Sequence, residues 1–404
     1  MEKIYYGKAV YNNKEINAVI KVLKKNSLNL IDGPSVKLLE KKVARIFGKR
    51  FGLMVNSGSS ANLLALSSLN IKKGSEIITP SLTFSTTIAP IYQLGLIANF
   101  IDVEKNTFIA NINQIEKKIN NKTAAILIPN LLGNIPDWKK IKEIANKYKL
   151  YLIEDSADTI GYSLNKKNTG KLSDIVTTSF YASHVVTGAG FGGMVCFNNE
   201  NFYNEAKLLR GWGRSSAIFN ESEKITKRFS VKISGIDYDK KYIFSKMGYN
   251  FLPSEISAAF AIEQLKKLKL NIKKRISNFN NLRNFFIKFP ELLEMPILNK
   301  NIYTGWLAFP MIIKNNKFFD RTMMQIYFER KNIQTRTIFT GNILKQPVMK
   351  KVNYKSNPQS SIISTNIMKN GVLLGCHQGM KKTEINYIKN TFLGFLKKTK
   401  ARVQ

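Results

Sequence analysis

The stretch Tyr151-Leu152-Ile153-Glu154-Asp155, followed downstream by Ile175-Val176-Thr177-Thr178-Ser179-Phe180-Tyr181-Ala182-Ser183-His184, decides the fold. Each segment is a short apolar or β-branched run that ends on polar groups, the first on carboxylates and the second on a hydroxyl and an imidazole. Runs of this length between turn signals read as strands buried on both faces, as in a parallel sheet covered by helices. Ligands of such sheets collect at the carboxyl ends of the strands. Asp155, Ser179 and His184 are therefore expected in one crevice, although a lone histidine also serves as an ordinary satisfied turn residue.

The flanking sequence alternates in the same way. Leu53 to Asn56, Glu76 to Thr79, Ile97 to Val103 and Ala124 to Pro129 read as strands, and Ala61 to Leu69 and Trp138 to Tyr148 as helices. Asn13 to Lys25 and Ser35 to Phe47 are amphipathic, the second opened by Gly33-Pro34 and closed by Gly48. The alternation predicts an α/β fold with a mainly parallel sheet. A helical pattern from Ser254 to about Phe286 links this large domain, residues 1–268, to a smaller C-terminal α+β domain, residues 269–404. Residues 215–245 lack clear periodicity and read as an extended loop or hairpin excursion.

Composition narrows the class. A chain of 404 residues with 44% hydrophobic content can bury a large core. No apolar run reaches membrane-spanning length and the start is not a signal peptide, so a cytoplasmic protein without membrane contact is expected. Two cysteines, Cys196 and Cys376, are too few for a disulfide framework or for a four-cysteine metal site. The net charge of +36 is spread along the chain among Asn and Ile, with no base-reading motif. It favours a basic mouth for an anionic small substrate over nucleic acid.

Asn56-Ser57-Gly58-Ser59-Ser60 follows a strand and opens a helix, which is how backbone N–H groups and hydroxyls hold a phosphate, and is also how plain caps look. Asp155 at a strand end suits a carboxylate paired with a protonated ring nitrogen, or a simple turn. His184 runs into the glycine-rich Thr187-Gly188-Ala189-Gly190-Phe191-Gly192-Gly193.

Together with Gly33-Pro34, Thr79-Pro80-Ser81-Leu82-Thr83-Phe84, Glu154-Asp155-Ser156-Ala157 and Gly248-Tyr249-Asn250, these segments resemble the DegT/DnrJ/EryC1/StrS family of sugar-nucleotide aminotransferases over most of the chain. The resemblance implies the aspartate-aminotransferase-like fold type I of pyridoxal-phosphate (PLP) enzymes, PLP or pyridoxamine phosphate (PMP) as cofactor, and a homodimer with shared active sites. The family normally carries lysine at position 184. Lysine would tether the cofactor aldehyde, whereas an imidazole can only move protons. Leu209-Arg210-Gly211-Trp212-Gly213-Arg214, Lys227-Arg228-Phe229, Tyr238-Asp239-Lys240-Lys241-Tyr242 and Thr335-Arg336-Thr337 further resemble the histidine-bearing branch, the 4-keto-6-deoxyhexose 3-dehydratases.

By that resemblance Ser59, Ser60 and Ser179 hold the cofactor phosphate, with Asn250 reaching it from the neighbouring subunit. Phe84 stacks on the ring, Asp155 pairs with its nitrogen and Asp158 supports its 3-hydroxyl side. His184 is the base that takes the C4′ proton and the acid that helps the C3 hydroxyl leave. An amino donor such as glutamate restores the cofactor. Arg210, Arg214, Arg228 and Arg336 are candidates for the nucleotide diphosphate of the substrate, since guanidinium forks suit phosphate oxygens. His377, in Gly375-Cys376-His377-Gln378-Gly379, is either a substrate contact or a structural turn.

Two departures qualify the pattern. The iron–sulfur type of dehydratase has clustered cysteines after the Gly-Arg that matches Gly213-Arg214, whereas Ser215-Ser216-Ala217-Ile218 stands here, so no iron–sulfur cluster is expected. The glycine loop 187–193 lacks the family's acidic residue and is one residue longer. An aminotransferase-like enzyme and a catalytically retired regulator of the same fold are the alternative readings.

Overall fold

The computed structural model describes residues 2–25, 30–218, 224–356 and 361–401. Its main sheet contains β1 (Phe51–Val55), β2 (Glu76–Pro80), β3 (Ile97–Ile101), β4 (Thr123–Pro129), β5 (Tyr151–Asp155), β6 (Ile175–Ser179) and β7 (Gly193–Phe197), in the order β1-β7-β6-β5-β4-β2-β3. Tyr354–Lys355 adds a parallel edge beyond β3.

Period-two alternation assigns each strand residue to one face or the other. Met54, Ile78, Ile126, Leu152, Val176 and Met194 share a core with Val36, Leu39 and Val43 of the helix Pro34–Ile46 and with Ile141 of the helix Trp138–Lys147. Leu53, Val55, Ile77, Leu127, Ile153 and Val195 point the other way, onto Ala61 and Leu64 of the helix Gly58–Ser67 and Ile88 and Ile91 of the helix Ser85–Gln93. Helices thus cover both faces, as the near-continuous apolar strands require.

The sheet is parallel except for β7, which runs antiparallel to both β1 and β6. The sequence reading took residues 187–193 as a loop and assigned no strand after it. The thirteen residues 180–192 form no crossover helix, and without one the chain turns back and pairs antiparallel. Gly193 opens β7 where a Cβ would stand 2.3 Å from the Ser57 carbonyl oxygen, so only glycine lets this strand lie against the turn after β1.

Residues 254–286 form two helices, Glu255–Lys266 and Leu268–Phe286, instead of one. The break falls at Lys267, whose N–H donates to Gln264 O and whose Nζ lies 2.7 Å from Oε2 of the buried Glu15. The excursion contains the hairpin Val231–Ile233 and Ile236–Tyr238, closed by Ser234 and Gly235, both at positive φ as a type I′ turn demands.

A smaller three-stranded sheet of Leu293–Glu294, Phe309–Ile313 and Gly371–Leu374 packs with the helices Arg321–Arg330, Ile362–Asn370 and Lys382–Lys400 around Phe286, Phe309, Phe328 and Phe392. Ile4 joins this core and bridges to Ile333, so the first residues of the chain cross over to the C-terminal unit. Among the described residues, no helix is long and apolar enough to cross a membrane.

Candidate active site

The carboxyl ends of β1, β5 and β6 converge, as a parallel sheet with Asp155 and Ser179 at adjacent strand ends requires. Ser57 caps the helix Gly58–Ser67, its Oγ accepting from Ser60 N at 3.1 Å. The first turn of such a helix has N–H groups that the helix itself leaves unpaired, at its positive end. Ser59 is exposed. Ser60 differs: its hydroxyl donates to Asn56 Oδ1 at 2.7 Å, so its single proton is used inside the turn. Ser179 closes the cradle, since a Cβ on Gly58 would stand 2.7 Å from Ser179 Cβ.

Asp155 is buried and held from several sides. Its Oδ2 accepts from Asn62 Nδ2 and from Thr87 Oγ1, both at 2.9 Å, and its Oδ1 accepts from Ala157 N at 3.2 Å. Asn62 is fixed in turn by Thr177 Oγ1, which donates to Asn62 Oδ1 at 2.6 Å. Burial raises the Asp155 pKa, and the Asn62 and Thr87 hydrogen bonds oppose the rise. Sequence reasoning missed Asn62 and Thr87. The available signal was their place, in the first turns of the two helices that follow the phosphate-type turn and Phe84.

Asp158 accepts from Leu132 N at 2.9 Å through Oδ2. Leu132 adopts a φ of +60°, a strained conformation for a branched side chain. Oδ1 of Asp158 faces Nδ1 of His184 at 3.5 Å. That nitrogen is buried and, among the described residues, has no hydrogen-bond partner. Burial, with the Arg275 charge adding to it, depresses the His184 pKa to about 4, and burial followed by the charge of Asp155 raises that of Asp158 to about 7. The imidazole is therefore a neutral base at neutral pH. Its base form is present above about pH 4 and lost below it.

Phe84 caps the helix Ser85–Gln93 with its ring 49% exposed, edge-on to Phe339 of the C-terminal unit at 6.0 Å. That exposure rules out a plain core role. Arg336 lies over the ring of Tyr6 at 5.6 Å, and Tyr6 belongs to the N-terminal segment whose Gly7 packs on Ser183, next to His184. Arg336 is thus the arginine candidate that the chain brings to the crevice.

The other cations are placed differently. Arg210, proposed from sequence as a substrate ligand, is 3% exposed and already bound by Asp32 at 2.5 Å, Glu40 at 3.2 Å and Met54 O at 2.9 Å. It sits in a structural ion pair, and its Nε, which has no hydrogen-bond partner among the described residues, is buried with it. Arg228 grips Asp239 Oδ2 through Nε at 2.8 Å and Nη2 at 2.5 Å, inside the excursion. Arg214 packs on the rings of Trp212 at 4.4 Å, Tyr242 at 5.1 Å and Phe244 at 5.5 Å. These contacts hold both side chains within the 212–244 region. Asn250 is exposed and pairs with Gly211.

His377 is the structural turn, not the substrate contact. It is 3% exposed, Gly379 N donates to its Nδ1 at 3.3 Å, and Nε2 is left to donate to Tyr5 O at 3.2 Å. Both ring nitrogens are used by backbone, and burial lowers its pKa to about 4. The two cysteines are buried in different cores, Cys196 on β7 and Cys376 beside Trp306.

Comparison with known proteins agrees with this geometry. The model of the DegT/DnrJ/EryC1/StrS aminotransferase family matches residues 10–393. The chain is 33% identical over 387 residues to a dTDP-4-dehydro-2,6-dideoxy-D-glucose 3-dehydratase of Saccharopolyspora spinosa, covering 92% of this chain and 82% of that one. It superposes with a TM-score of 0.85 and 30% identity on the E. coli GDP-4-keto-6-deoxy-D-mannose-3-dehydratase with bound hydrated PLP, over 96% of this chain and 100% of that one. A GDP-4-keto-6-deoxymannose-3-dehydratase with a trapped PLP-glutamate geminal diamine gives 0.83 and 29% identity, over 96% and 99%.

Proposed function

The chain belongs to the DegT/DnrJ/EryC1/StrS aminotransferase family, and from that premise we propose that it is a PMP/PLP-dependent dehydratase that removes the C3 hydroxyl of a nucleotide-activated 4-keto-6-deoxyhexose. One observation carries the reading: an imidazole, His184, stands 3.5 Å from Asp158 at the position where the family carries its tethering lysine. The 3-dehydratase relatives support it.

The residues fit the cofactor. Asp155 offers a buried carboxylate held in place by Asn62 and Thr87, the Ser57–Ser60 turn and Ser179 form a cradle at a helix start, and Phe84 presents an exposed ring. The orphaned Nδ1 of His184 marks the imidazole as a group whose hydrogen-bonding is completed only in use.

Bound PMP supplies a primary amine for the C4 ketone and a protonated ring that accepts an electron pair. Asp155 holds the ring nitrogen protonated, and the approach of that cation draws its raised pKa back down. His184 removes a proton through Nε2, because Nδ1 faces Asp158. The imidazolium then protonates the departing C3 hydroxyl, which leaves as water. Asp158 stabilises the imidazolium while it exists, through the Nδ1 side that its Oδ1 faces. Glutamate serves as amino donor, in line with the relative that traps it on PLP. Arg336 meets the nucleotide diphosphate.

Incubation with PMP, glutamate and GDP- or dTDP-linked 4-keto-6-deoxyhexoses tests this. The expected product is a ketone lacking one oxygen of the substrate, with ammonia released. An amino sugar that keeps the C3 oxygen would assign the protein to the aminotransferases instead.

We further propose a cytoplasmic homodimer with shared sites. The excursion exposes Phe229, Tyr238, Tyr242 and Phe244, with the exposed Trp212 and Asn250 beside it, a set that suits an interface. Two inactive variants, His184→Asn and Asn250→Ala, should then regain partial activity when mixed and allowed to exchange subunits, because one site of each hybrid is intact. No recovery despite hybrid formation would place Asn250 outside the partner's site.

A further inference from the structure

Arg275, on the helix Leu268–Phe286, is fully buried, yet all its hydrogen bonds end on uncharged oxygens. Nε donates to Gln378 Oε1 at 2.6 Å, Nη1 to Trp306 O at 2.9 Å and to Leu307 O at 3.0 Å, and Nη2 to Ser183 O at 3.2 Å. Among the described residues no carboxylate hydrogen-bonds this buried guanidinium, although the Asp158 carboxyl feels its charge, and a buried cation so placed is costly, so the arrangement calls for a reason. Its contacts supply one. Three of the four acceptors belong to the C-terminal unit, and the fourth is the carbonyl of the peptide that joins Ser183 to His184.

The N–H of that same peptide donates to Tyr181 O at 3.1 Å, so the peptide plane is pinned at both ends. From above it is overlaid by the N-terminal segment, where a Cβ on Gly7 would stand 2.7 Å from Ser183 Cβ. That segment is tied to the C-terminal unit as well, through Gln334 Oε1, which accepts from Tyr6 N at 3.0 Å, and through His377.

We propose that Arg275 is a positioning residue for the reaction: by gripping the Ser183 carbonyl while anchored to the C-terminal unit, it fixes where the His184 imidazole points relative to Asp158. The inference rests on the reading of His184 as the base. Only a planar fork can serve Nε, Nη1 and Nη2 contacts in these three directions at once, which a lysine ammonium on one stem does not. The charge has a second effect on the same imidazole. Around the imidazole stand Asp158 at 3.5 Å, the ring of Tyr181 at 6.4 Å and, from the N-terminal segment, Tyr6 with Arg336 over it. The Asp158 pKa is itself pushed up to about 7, so where the imidazole titrates Arg275 is the buried charge that acts on it, and it favours the neutral base.

With only two histidines in the chain, imidazole NMR of selectively labelled protein reads His184 directly, assigned by its loss in His184→Asn. In cofactor-free wild-type protein the His184 resonances should titrate near pH 4. In Arg275→Gln the midpoint should rise by about 1 pH unit, the lower end of the range for a charge removed at close range. Arg275→Lys keeps the charge and should leave the midpoint in place. It should lower kcat about tenfold with KM unchanged, the loss of one charge-assisted hydrogen bond. An unmoved midpoint in Arg275→Gln, or wild-type kcat in Arg275→Lys, overturns the proposal. If Arg275→Gln fails to fold, Arg275→Lys decides: a selective fall in kcat supports positioning, and a parallel loss of stability and KM contradicts it. Absence of dehydration by the wild type would sink the functional reading and leave the titration result standing on its own.

Discussion

His184→Asn should bind PMP as the wild type does and turn over about 10²- to 10⁴-fold more slowly, the range for loss of a general acid–base group. Binding survives because no residue of the cradle is altered. Stability should change by about 1 kcal/mol or less, because Nδ1 gives up no hydrogen bond on replacement and the site is relieved of a buried, unpaired nitrogen. His184→Lys should behave differently again. A primary amine there would capture added PLP covalently, measured as a mass increase after borohydride reduction. Thermal unfolding, cofactor titration and steady-state rates on the three proteins separate these effects. An Asn variant with undiminished turnover would mean that another group moves the proton.

Asp155→Asn carries the second large effect. The carboxylate is buried and accepts hydrogen bonds from Asn62, Thr87 and Ala157 N. Neutralising it removes a charged partner for the ring nitrogen, worth about 1.5–3 kcal/mol, so PMP affinity should fall about 10- to 100-fold. Turnover should stay depressed even at saturating cofactor, since a ring nitrogen without its anion no longer holds the proton that makes the ring an electron sink. Calorimetry at several cofactor concentrations checks the first part and the rate at saturation the second. Unchanged affinity would mean that Asp155 supports the fold and not the ring.

The strands of the main sheet were legible because fully buried parallel strands must be apolar on both faces, and Val, Ile and Leu runs with polar ends are hard to mistake. The boundaries drifted by only a residue or two. What escaped was β7, because its glycine-rich approach reads as a binding loop and nothing local says that the chain turns back. At the site, Asp155, Ser179 and His184 could be read because they lie at or just past two strand ends, Asp155 on β5 and the other two on β6. Asn62, Thr87, Tyr6 and Arg275 could not, because they reach the crevice from helices and from the chain terminus, and only tertiary packing brings them there.

Two residues misled for one reason. Arg210 and His377 have the chemistry of ligands, and sequence does not show that Asp32 and Glu40 already occupy the first or that Tyr5 and Gly379 occupy the second. A polar side chain held inside the fold has little to give a substrate, whether its groups are spent, as in His377, or sealed away with their ion pair, as with Arg210 Nε. His184 differs in that its unspent Nδ1 faces Asp158 at the site.

The account turns on the proton that His184 removes. PMP carrying deuterium at C4′, presented with a 4-keto-6-deoxyhexose nucleotide, should lose one deuteron to water on the wild-type enzyme and keep both on His184→Asn. Release at the wild-type rate from the Asn variant would contradict it.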